Sequence, residues 1–149
     1  LVVLGTARHY GPEFRFDVRG PQWTTGLGEM VRRIEDAGSR AVVLGPAPHP
    51  RADVPDCLSE HLGDVTACAQ PVERALDRGH IEAETSAVER AGGAYVDVAP
   101  WFCDRQRCAA VVGNLLVYRD DNHLTTAYAG WLAPVVGTVL DSALAPGRN

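Results

Sequence analysis

Two side chains in the segment Tyr118–Thr125, which reads YRDDNHLT, have the types and the spacing of an acid-base pair. Asp120 stands three residues before His123, so its carboxylate can fold back and accept the proton of the imidazole Nδ1, which fixes the orientation and tautomer of the ring. If Thr125 caps the apolar helix that follows, the positive end of that helix opposes protonation of His123. The pair is therefore a candidate for the general base of a hydrolase and its orienting carboxylate.

A second interpretation of the same residues needs no chemistry. Asp and Asn are common in turns and at helix starts because their side chains satisfy backbone N–H groups there. An Asp-x-x-His spacing also arises by chance in polar loops. The motif alone therefore leaves both interpretations open, and the surrounding sequence has to decide between them.

Composition narrows the class of protein. With 149 residues, 46% of them hydrophobic, the chain can bury one core, and we expect residues 1–149 to form a single domain. The net charge is −5 and every basic residue is Arg, with no basic run, which argues against a nucleic-acid surface. No apolar run predicts a membrane span or a signal peptide. The run Leu1–Leu4 has no Met before it and reads as a strand entered partway along a longer polypeptide.

Four cysteines fall into two close pairs, Cys57 with Cys68 and Cys103 with Cys108. Each pair encloses a short polar stretch, and neither has the C-x-x-C spacing that zinc sites favour. Two local disulfides are therefore favoured over a metal site, and they imply an oxidising compartment outside the cytoplasm. Four buried free thiols in a cytosolic enzyme are the alternative.

Strands and helices alternate along the chain. Apolar runs predict strands over residues 1–4, 41–44 and 94–98, and helical periodicity predicts helices over 24–37, 72–90 and 125–143, with a kink at Pro134 in the last. This order, with wholly apolar strands, predicts an α/β fold whose parallel sheet is covered on both faces. The side chains expected on the apolar helix faces are Leu27, Met30, Val31, Ile34, Tyr128, Trp131, Leu132, Val135, Val136, Val139 and Leu140.

Active sites of such sheets lie at the carboxyl ends of the strands. The loop after the first strand brings Gly5, Arg8 and Tyr10 to this rim, where Arg8 and the backbone of residues 5–7 could face a developing oxyanion. We interpret His9 and His49 as rim residues because neither has a carboxylate nearby in the sequence. Trp23 and Trp101 could line an acyl or sugar site, although aromatic residues near strand ends are more often part of a core.

Taken together, these blocks resemble the SGNH (GDSL-type) hydrolase superfamily, and most closely the extracytoplasmic SGNH domain that follows the membrane acyltransferase-3 domain of bacterial envelope O-acyltransferases. The resemblance runs through the first strand, residues 38–48, the cysteine pairs and residues 116–125. It implies a three-layer α/β/α sandwich with a mainly parallel, flavodoxin-like sheet. It also implies that Asp120 and His123 are two members of the catalytic triad and that the cysteine pairs are disulfides.

Two family elements are missing from the sequence. No Gly-Asp-Ser nucleophile block is present, and none of the serines falls on a strand-to-helix elbow: Ser39, Ser59, Ser86 and Ser142. We therefore infer that the nucleophile lies upstream of Leu1, together with the domain's N-terminal strand. The Gly and Asn oxyanion blocks are also not evident, and residues 5–8 stand where the Asn block is expected.

The resemblance implies a cell-envelope O-acyltransferase or esterase that passes a short, acetyl-like group to a hydroxyl of a glycan or glycolipid. A membrane acyltransferase domain, fused or adjacent in the parent protein, would deliver the acyl donor and tether the domain on the periplasmic or cell-envelope face. No metal, organic cofactor or nucleic acid is expected. The alternative is a non-catalytic, disulfide-stapled α/β module that binds a glycan or a partner protein. A phosphate or nucleotide binder is disfavoured because no Gly-rich loop follows a strand.

Overall fold

Two compact units make up the chain, and each is assembled from separate stretches of sequence. The computed structural model describes residues 1–7, 17 and 20–144. Unit 1 comprises Leu1–Pro46, Arg78–Val98 and the chain from Thr138 onward, and unit 2 comprises Ala47–Asp77 and Ala99–Gly137. The chain therefore passes from one unit to the other four times.

A parallel sheet forms the centre of unit 1. Its strands are β1 (Val2–Gly5), β2 (Ala41–Leu44) and β4 (Ala94–Val96), in the spatial order β1-β2-β4. Val2 is in register with Ala41, and Val42 is in register with Ala94. The predicted parallel sheet is confirmed, and β2 has the predicted bounds.

Two helices of unit 1 pack with this sheet: α1 (Pro21–Asp36) and α4 (Arg78–Arg90). A buried cluster joins them to it, formed by Val31, Ala41, Val43, Val88 and Ala91, with Leu27, Ile34 and Tyr95 partly buried against it. Met30 was expected in this cluster but is 49% exposed, because it lies at the margin of the stripe that residues 27, 31 and 34 form on α1. The helix begins three residues before the predicted start because Pro21 is well suited to a first turn.

The predicted helix over 72–90 is broken in two, into α3 (Val72–Ala75) and α4. Leu76 adopts an extended conformation, with φ −125° and ψ 148°, and is buried. Burial of this side chain overrides the local helix propensity. The interruption falls where the chain leaves unit 2 and enters unit 1.

Apart from its share of the last helix, unit 2 consists of short elements held by two disulfides. Its helical elements are α2 (Val54–Glu60), α3 and two 3₁₀ turns, over Val65–Cys68 and Ala99–Trp101. Its strands form two antiparallel pairs. They are β3 (Gln70–Pro71) with β5 (Arg107–Cys108), and β6 (Val111–Val112) with β7 (Leu115–Leu116). Disulfides join Cys57 to Cys68 and Cys103 to Cys108, which confirms both predicted pairs. No cysteine is left as a free thiol.

The last helix, α5 (Thr126–Leu144), continues through Pro134 and runs from unit 2 into unit 1. Tyr128 and Leu132 are buried as predicted, but Trp131 and Val135 are exposed, at 51% and 37%. Both lie at one margin of the buried stripe, which is narrower than predicted.

By length and composition alone, α5 could cross a membrane, although no apolar run was expected to do so. The side chain of Tyr128, however, is fully buried, with the rings of Phe102 and Trp131 beside it. This burial is confined to a small part of the helix, since 11% of its apolar stretch is buried.

Candidate active site

A short hairpin in unit 2 carries Asp120 and His123. An antiparallel bridge between Tyr118 and Leu124 closes the hairpin, and the backbone N–H of Arg119 donates to the carbonyl of His123 at 2.9 Å. The residues between these contacts form a tight turn. The turn therefore holds both side chains on a fixed backbone.

The two carboxylate oxygens of Asp120 have different partners. Oδ1 accepts hydrogen bonds from the backbone N–H groups of Asn122, at 2.9 Å, and His123, at 2.7 Å. Oδ2 lies 2.8 Å from Nδ1 of His123, with Nε of Arg119 at 3.4 Å on the same oxygen. The contact that the spacing predicted is present. With a proton on Nδ1, the imidazole donates to Oδ2 and leaves Nε2 as an acceptor.

Hydrogen bonding keeps this carboxylate ionised. The backbone N–H of His123, followed by that of Asn122, holds the pKa of Asp120 well below its usual range. An ionised Asp120 can accept only, which favours the proton on Nδ1 of His123. The His123 side chain is 60% exposed, and within the described part of the chain nothing hydrogen-bonds to its Nε2. The geometry suits a base that takes a proton from an incoming group.

Aromatic side chains fix the hairpin and the start of α5. The buried Tyr118 donates its hydroxyl proton to the carbonyl of Pro48 at 2.7 Å, and Tyr128 donates to the carbonyl of Trp101. The ring of Phe102 stacks on Tyr118 and lies tilted against Tyr128, with centroid distances of 6.4 Å and 5.7 Å. Burial raises the pKa of both tyrosines, so each remains a donor.

Thr125 places the start of α5 directly after His123. Its Oγ1 accepts from the backbone N–H of Tyr128 at 3.1 Å and donates to the carbonyl of Leu116 at 2.6 Å. The expected helix cap is therefore present, and it also ties the helix to the neighbouring strand pair. His123 lies two residues before this cap, near the positive end of the helix.

The other predicted site residues are placed as follows. Gly5 ends β1 in unit 1, whereas Arg8, His9 and Tyr10 lie outside the described residues. In unit 2, Nδ1 of His49 accepts from the backbone N–H of Arg51 at 3.1 Å.

The two tryptophans predicted near the strand ends have structural partners. The indole N–H of Trp23 donates to Glu84 Oε1 at 2.6 Å, and the carbonyl of Trp101 accepts from Tyr128. Both side chains are half-buried, and the Trp101 contact is made by its backbone carbonyl and not by its indole. Neither contact identifies an acyl or sugar site.

The four serines occupy positions typical of helices and turns. Ser59 and Ser142 donate to backbone carbonyls in their own helices, of Asp56 at 2.7 Å and of Thr138 at 2.8 Å. Ser86 is exposed on α4, and Ser39 lies between α1 and β2. None of them stands on a strand-to-helix elbow, so none has the placement of an SGNH nucleophile.

Asn122 and Arg119 complete the surroundings of Asp120, and neither was predicted to have a role there. The backbone N–H of Asn122 is the second donor to Oδ1, while its own side-chain Oδ1 is buried without a partner in the described chain. The hydrogen bond from the N–H of Asn122 could have been predicted as an Asx turn, since Asp often accepts from the N–H two residues later in the chain.

One group of side chains has the composition of a metal site. Potential ligand atoms of Cys57, His61 and Cys68 lie within 4.8 Å of one another. The two sulfurs are joined in the disulfide, however, and only a thiolate ligates a metal strongly. These residues therefore form a structural bridge with a histidine beside it.

Comparisons with known proteins give a family and a fold. A family model described as an SGNH domain fused to AT3 domains matches residues 2–138. Among solved structures, the periplasmic domain of the lipopolysaccharide acetyltransferase of Salmonella ser. Paratyphi A is similar, with a TM-score of 0.63 at 18% identity. That match covers 93% of this chain and 56% of the other, so the chain spans little more than half of that domain. No curated protein is similar enough in sequence to count as a relative.

At 18% identity the structural likeness shows a shared fold, and the observed parallel sheet with its helices agrees with an SGNH-like α/β fold. The family match extends over more than nine-tenths of the sequence and includes the hairpin with Asp120 and His123. The chain therefore belongs to the family of SGNH domains that are fused to AT3 domains.

Proposed function

We propose that this chain supplies the general base, His123, and its orienting carboxylate, Asp120, to an acyl-transfer domain. The observation that carries the proposal is the 2.8 Å contact between Nδ1 and Oδ2, on a carboxylate fixed independently by two backbone donors. An ionised carboxylate on Nδ1 leaves Nε2 in the acceptor form that a base requires. Membership of the SGNH family supports the assignment.

The proposed reaction has two halves. In the first, a serine hydroxyl from outside the described residues attacks the acyl donor while Nε2 of His123 takes its proton. The leaving group receives that proton as the ester to serine forms. In the second, His123 takes the proton of the acceptor hydroxyl, which attacks the acyl-serine, and the serine recovers its proton. Asp120 remains ionised throughout and stabilises the imidazolium.

The proposed substrates are a short acyl group, acetyl or similar, and a sugar hydroxyl of an envelope glycan or glycolipid. Support comes from the fusion of this family to AT3 domains and from the named activity of the Salmonella acetyltransferase, whose periplasmic domain shares the fold. The fused membrane domain would deliver the acyl donor. Two disulfides fit an extracytoplasmic location, and the family's fusion to AT3 domains fits a membrane tether. If water replaced the sugar hydroxyl, the same residues would form an esterase.

Fluorophosphonate labelling, measured by intact mass and peptide mapping, tests the relay. It should be carried out on this chain and on the longer polypeptide that contains the membrane domain. We expect a single adduct on a serine of the longer polypeptide that is lost in His123→Ala and kept in His61→Ala, which removes an exposed histidine elsewhere in unit 2. An adduct that forms equally fast without His123 would refute the relay.

The second candidate is a binding module without catalysis, and the placement of the four serines favours it. Such a module would form no adduct in either protein and would bind envelope glycan with an affinity that His123→Ala leaves unchanged. Labelling and glycan binding therefore give opposite results for the two functions.

A further inference from the structure

A histidine lies beside the first disulfide of unit 2. Cys57 is on α2, and His61 follows four residues later, directly after the helix ends, so the two side chains come together. Nδ1 of His61 is 3.9 Å from Sγ of Cys57. Ligand atoms of these two residues and of Cys68 all lie within 4.8 Å of one another. Two sulfur atoms and one imidazole nitrogen are therefore gathered at one point of unit 2.

These sulfurs can ligate a metal strongly only while the bond between them is open, because the ligand is the thiolate. A chain is synthesised with its cysteines as thiols, and disulfides form once it reaches an oxidising compartment. In that earlier state Cys57 and Cys68 can each provide a thiolate, and His61 can provide a neutral imidazole. Two sulfur ligands with one imidazole suit Zn²⁺, whereas Mg²⁺ and Ca²⁺ prefer oxygen.

The spacing of the three residues fits the coordination of a zinc ion. In a tetrahedral site with Zn–S bonds of about 2.3 Å and Zn–N bonds of about 2.0 Å, a sulfur and a nitrogen ligand lie about 3.6 Å apart, and two sulfurs lie about 3.8 Å apart. Sγ of Cys57 and Nδ1 of His61 are already separated by 3.9 Å. Once the disulfide is open, the sulfurs can separate by side-chain rotation, because the Cα atoms of Cys57 and Cys68 are 5.9 Å apart.

The surroundings of the first disulfide favour a cation. The loop that it closes contains Glu60 and Asp64 and no basic residue, whereas the loop closed by the second disulfide contains two arginines and no histidine. His61 is exposed, so an ion can reach it from solvent. In the oxidised chain its Nδ1 donates to the carbonyl of Cys57 at 2.8 Å. A metal ion would replace the Nδ1 proton, which Nε2 would then carry.

We propose that Cys57, His61 and Cys68 bind Zn²⁺ in the chain whose first disulfide has not yet formed. Two thiolates, one imidazole and a water molecule complete a tetrahedral site, and the two thiols release their protons on binding. The zinc ion closes the loop that the disulfide closes later. When a disulfide oxidant takes two electrons from the thiolates, the bond between the sulfurs forms and the zinc ion leaves. His61 ligates nothing in the oxidised protein, so the site is independent of acyl transfer.

Zinc binding after reduction with a phosphine tests the proposal, measured by competition with a chromophoric chelator. Reduced Cys103→Ser/Cys108→Ser keeps all three ligands and should bind one zinc ion per chain, and the oxidised wild type should bind none. Reduced Cys57→Ser/Cys68→Ser has the same number of thiols and is the matched control. It should bind zinc at least about 10-fold more weakly. Equal affinity of the two reduced variants would show that any pair of thiols suffices and would overturn the proposal.

His61→Ala tests the nitrogen ligand. Loss of an outer-shell partner alone costs about 10–100-fold in metal affinity, so loss of this ligand should lower zinc affinity at least about 10-fold. His49→Ala, which removes another histidine of unit 2, should leave the affinity unchanged. An affinity that His61→Ala does not lower would contradict the three-ligand site.

Stability provides a second readout. Zn²⁺ should raise the melting temperature of the reduced wild type and leave that of the oxidised wild type unchanged, because a ligand stabilises only the state that binds it. If the reduced chain is unfolded without metal, a zinc-dependent gain of circular dichroism replaces the melting temperature. A reduced chain that zinc neither stabilises nor folds would overturn the proposal. None of these measurements requires acyl transfer, so they can fail while the proposed function holds, and the reverse.

Discussion

Asp120 uses its two oxygens for different purposes, and this division allows its roles to be tested separately. Oδ1 is bound by backbone N–H groups and stabilises the turn, while Oδ2 contacts the imidazole. A substitution that keeps an acceptor at Oδ1 and replaces only Oδ2 should leave the hairpin folded. Asparagine has this property because its amide retains one carbonyl oxygen.

We predict that Asp120→Asn lowers the labelling and acyl-transfer rates of the longer polypeptide by about 10²–10⁴-fold while the protein stays folded. The new amide N–H would donate to Nδ1 of His123, so the ring proton would move to Nε2, which could no longer act as a base. Labelling rates and melting temperatures measure the two effects. The neighbouring exposed carboxylate provides the matched control, Asp121→Asn. An unchanged labelling rate in Asp120→Asn would exclude the proposed role.

The pH dependence of stability offers a second test at Asp120. Backbone N–H bonds lower the pKa of this carboxyl in the folded state, and an unfolded Asp titrates near pH 4. The ionised form therefore stabilises the fold above about pH 4, and this contribution is lost as pH falls toward the lower folded pKa. We expect the difference in unfolding free energy between the wild type and Asp120→Asn to shrink between about pH 5 and pH 2. A constant difference over that range in urea titrations would contradict the assignment.

At the scale of elements, one buried carboxylate joins three parts of unit 1. Glu84 on α4 is 0% exposed and accepts from the indole of Trp23 on α1, at 2.6 Å, and from the hydroxyl of Tyr95 on β4, at 2.7 Å. Nε2 of His80 lies 3.1 Å away, one helical turn earlier. The same tyrosine restricts Gly45, since a Cβ there would lie 2.5 Å from its hydroxyl oxygen.

We predict that Glu84→Ala lowers the free energy of unfolding by about 3–5 kcal/mol, because it removes the acceptor that the buried His80 and the half-buried Trp23 and Tyr95 share. Trp23→Phe, which removes one of the donors and keeps an aromatic ring, should cost less, about 1–3 kcal/mol. Glu82→Ala, at an exposed position on the same helix, should change the free energy of unfolding by less than about 0.5 kcal/mol. Urea denaturation provides the comparison. Equal effects at positions 82 and 84 would show that the network contributes nothing.

Elements whose ends are marked by residues nearby in the sequence could be predicted. Strand β2 has the predicted bounds because four consecutive apolar residues are flanked by polar and breaker residues, and Thr125 signalled the start of α5. The division at Leu76 was not predictable, since it depends on burial in the folded unit. Exposure of Met30 and Trp131 also escaped prediction, because a periodic pattern does not define how wide a buried stripe is.

Within the site, spacing predicted the contact between Asp120 and His123 but not the way the carboxylate is held. The main donors to Asp120 are backbone N–H groups, which every residue except proline has, so side-chain identity carries little signal for them. The glutamate network was missed for another reason. Trp23 and Glu84 are 61 positions apart in the sequence, and only the fold brings them together.

At the scale of the whole molecule, the stability of unit 2 depends on whether its two disulfides are oxidised or reduced. Both bonds lie in this unit, which has few regular elements. We predict that Cys57→Ser/Cys68→Ser lowers the free energy of unfolding by about 3 kcal/mol and Cys103→Ser/Cys108→Ser by about 2 kcal/mol, because the first bond closes the longer loop. Denaturation of oxidised samples measures both. A reductant should destabilise the wild type and have no effect when all four cysteines are replaced; insensitivity of the wild type would contradict the assigned role.

The interleaving of the two units has a consequence for synthesis on the ribosome. Unit 2 is inserted between segments of unit 1, and the final segment of unit 1 begins at Thr138. Domains made of one continuous segment can fold as soon as they leave the exit tunnel, with the N-terminal one first. Here neither unit is complete until α5 has been translated. Nascent chains should therefore keep both units unfolded, with apolar β1 and β2 segments accessible to chaperones, until α5 has been translated.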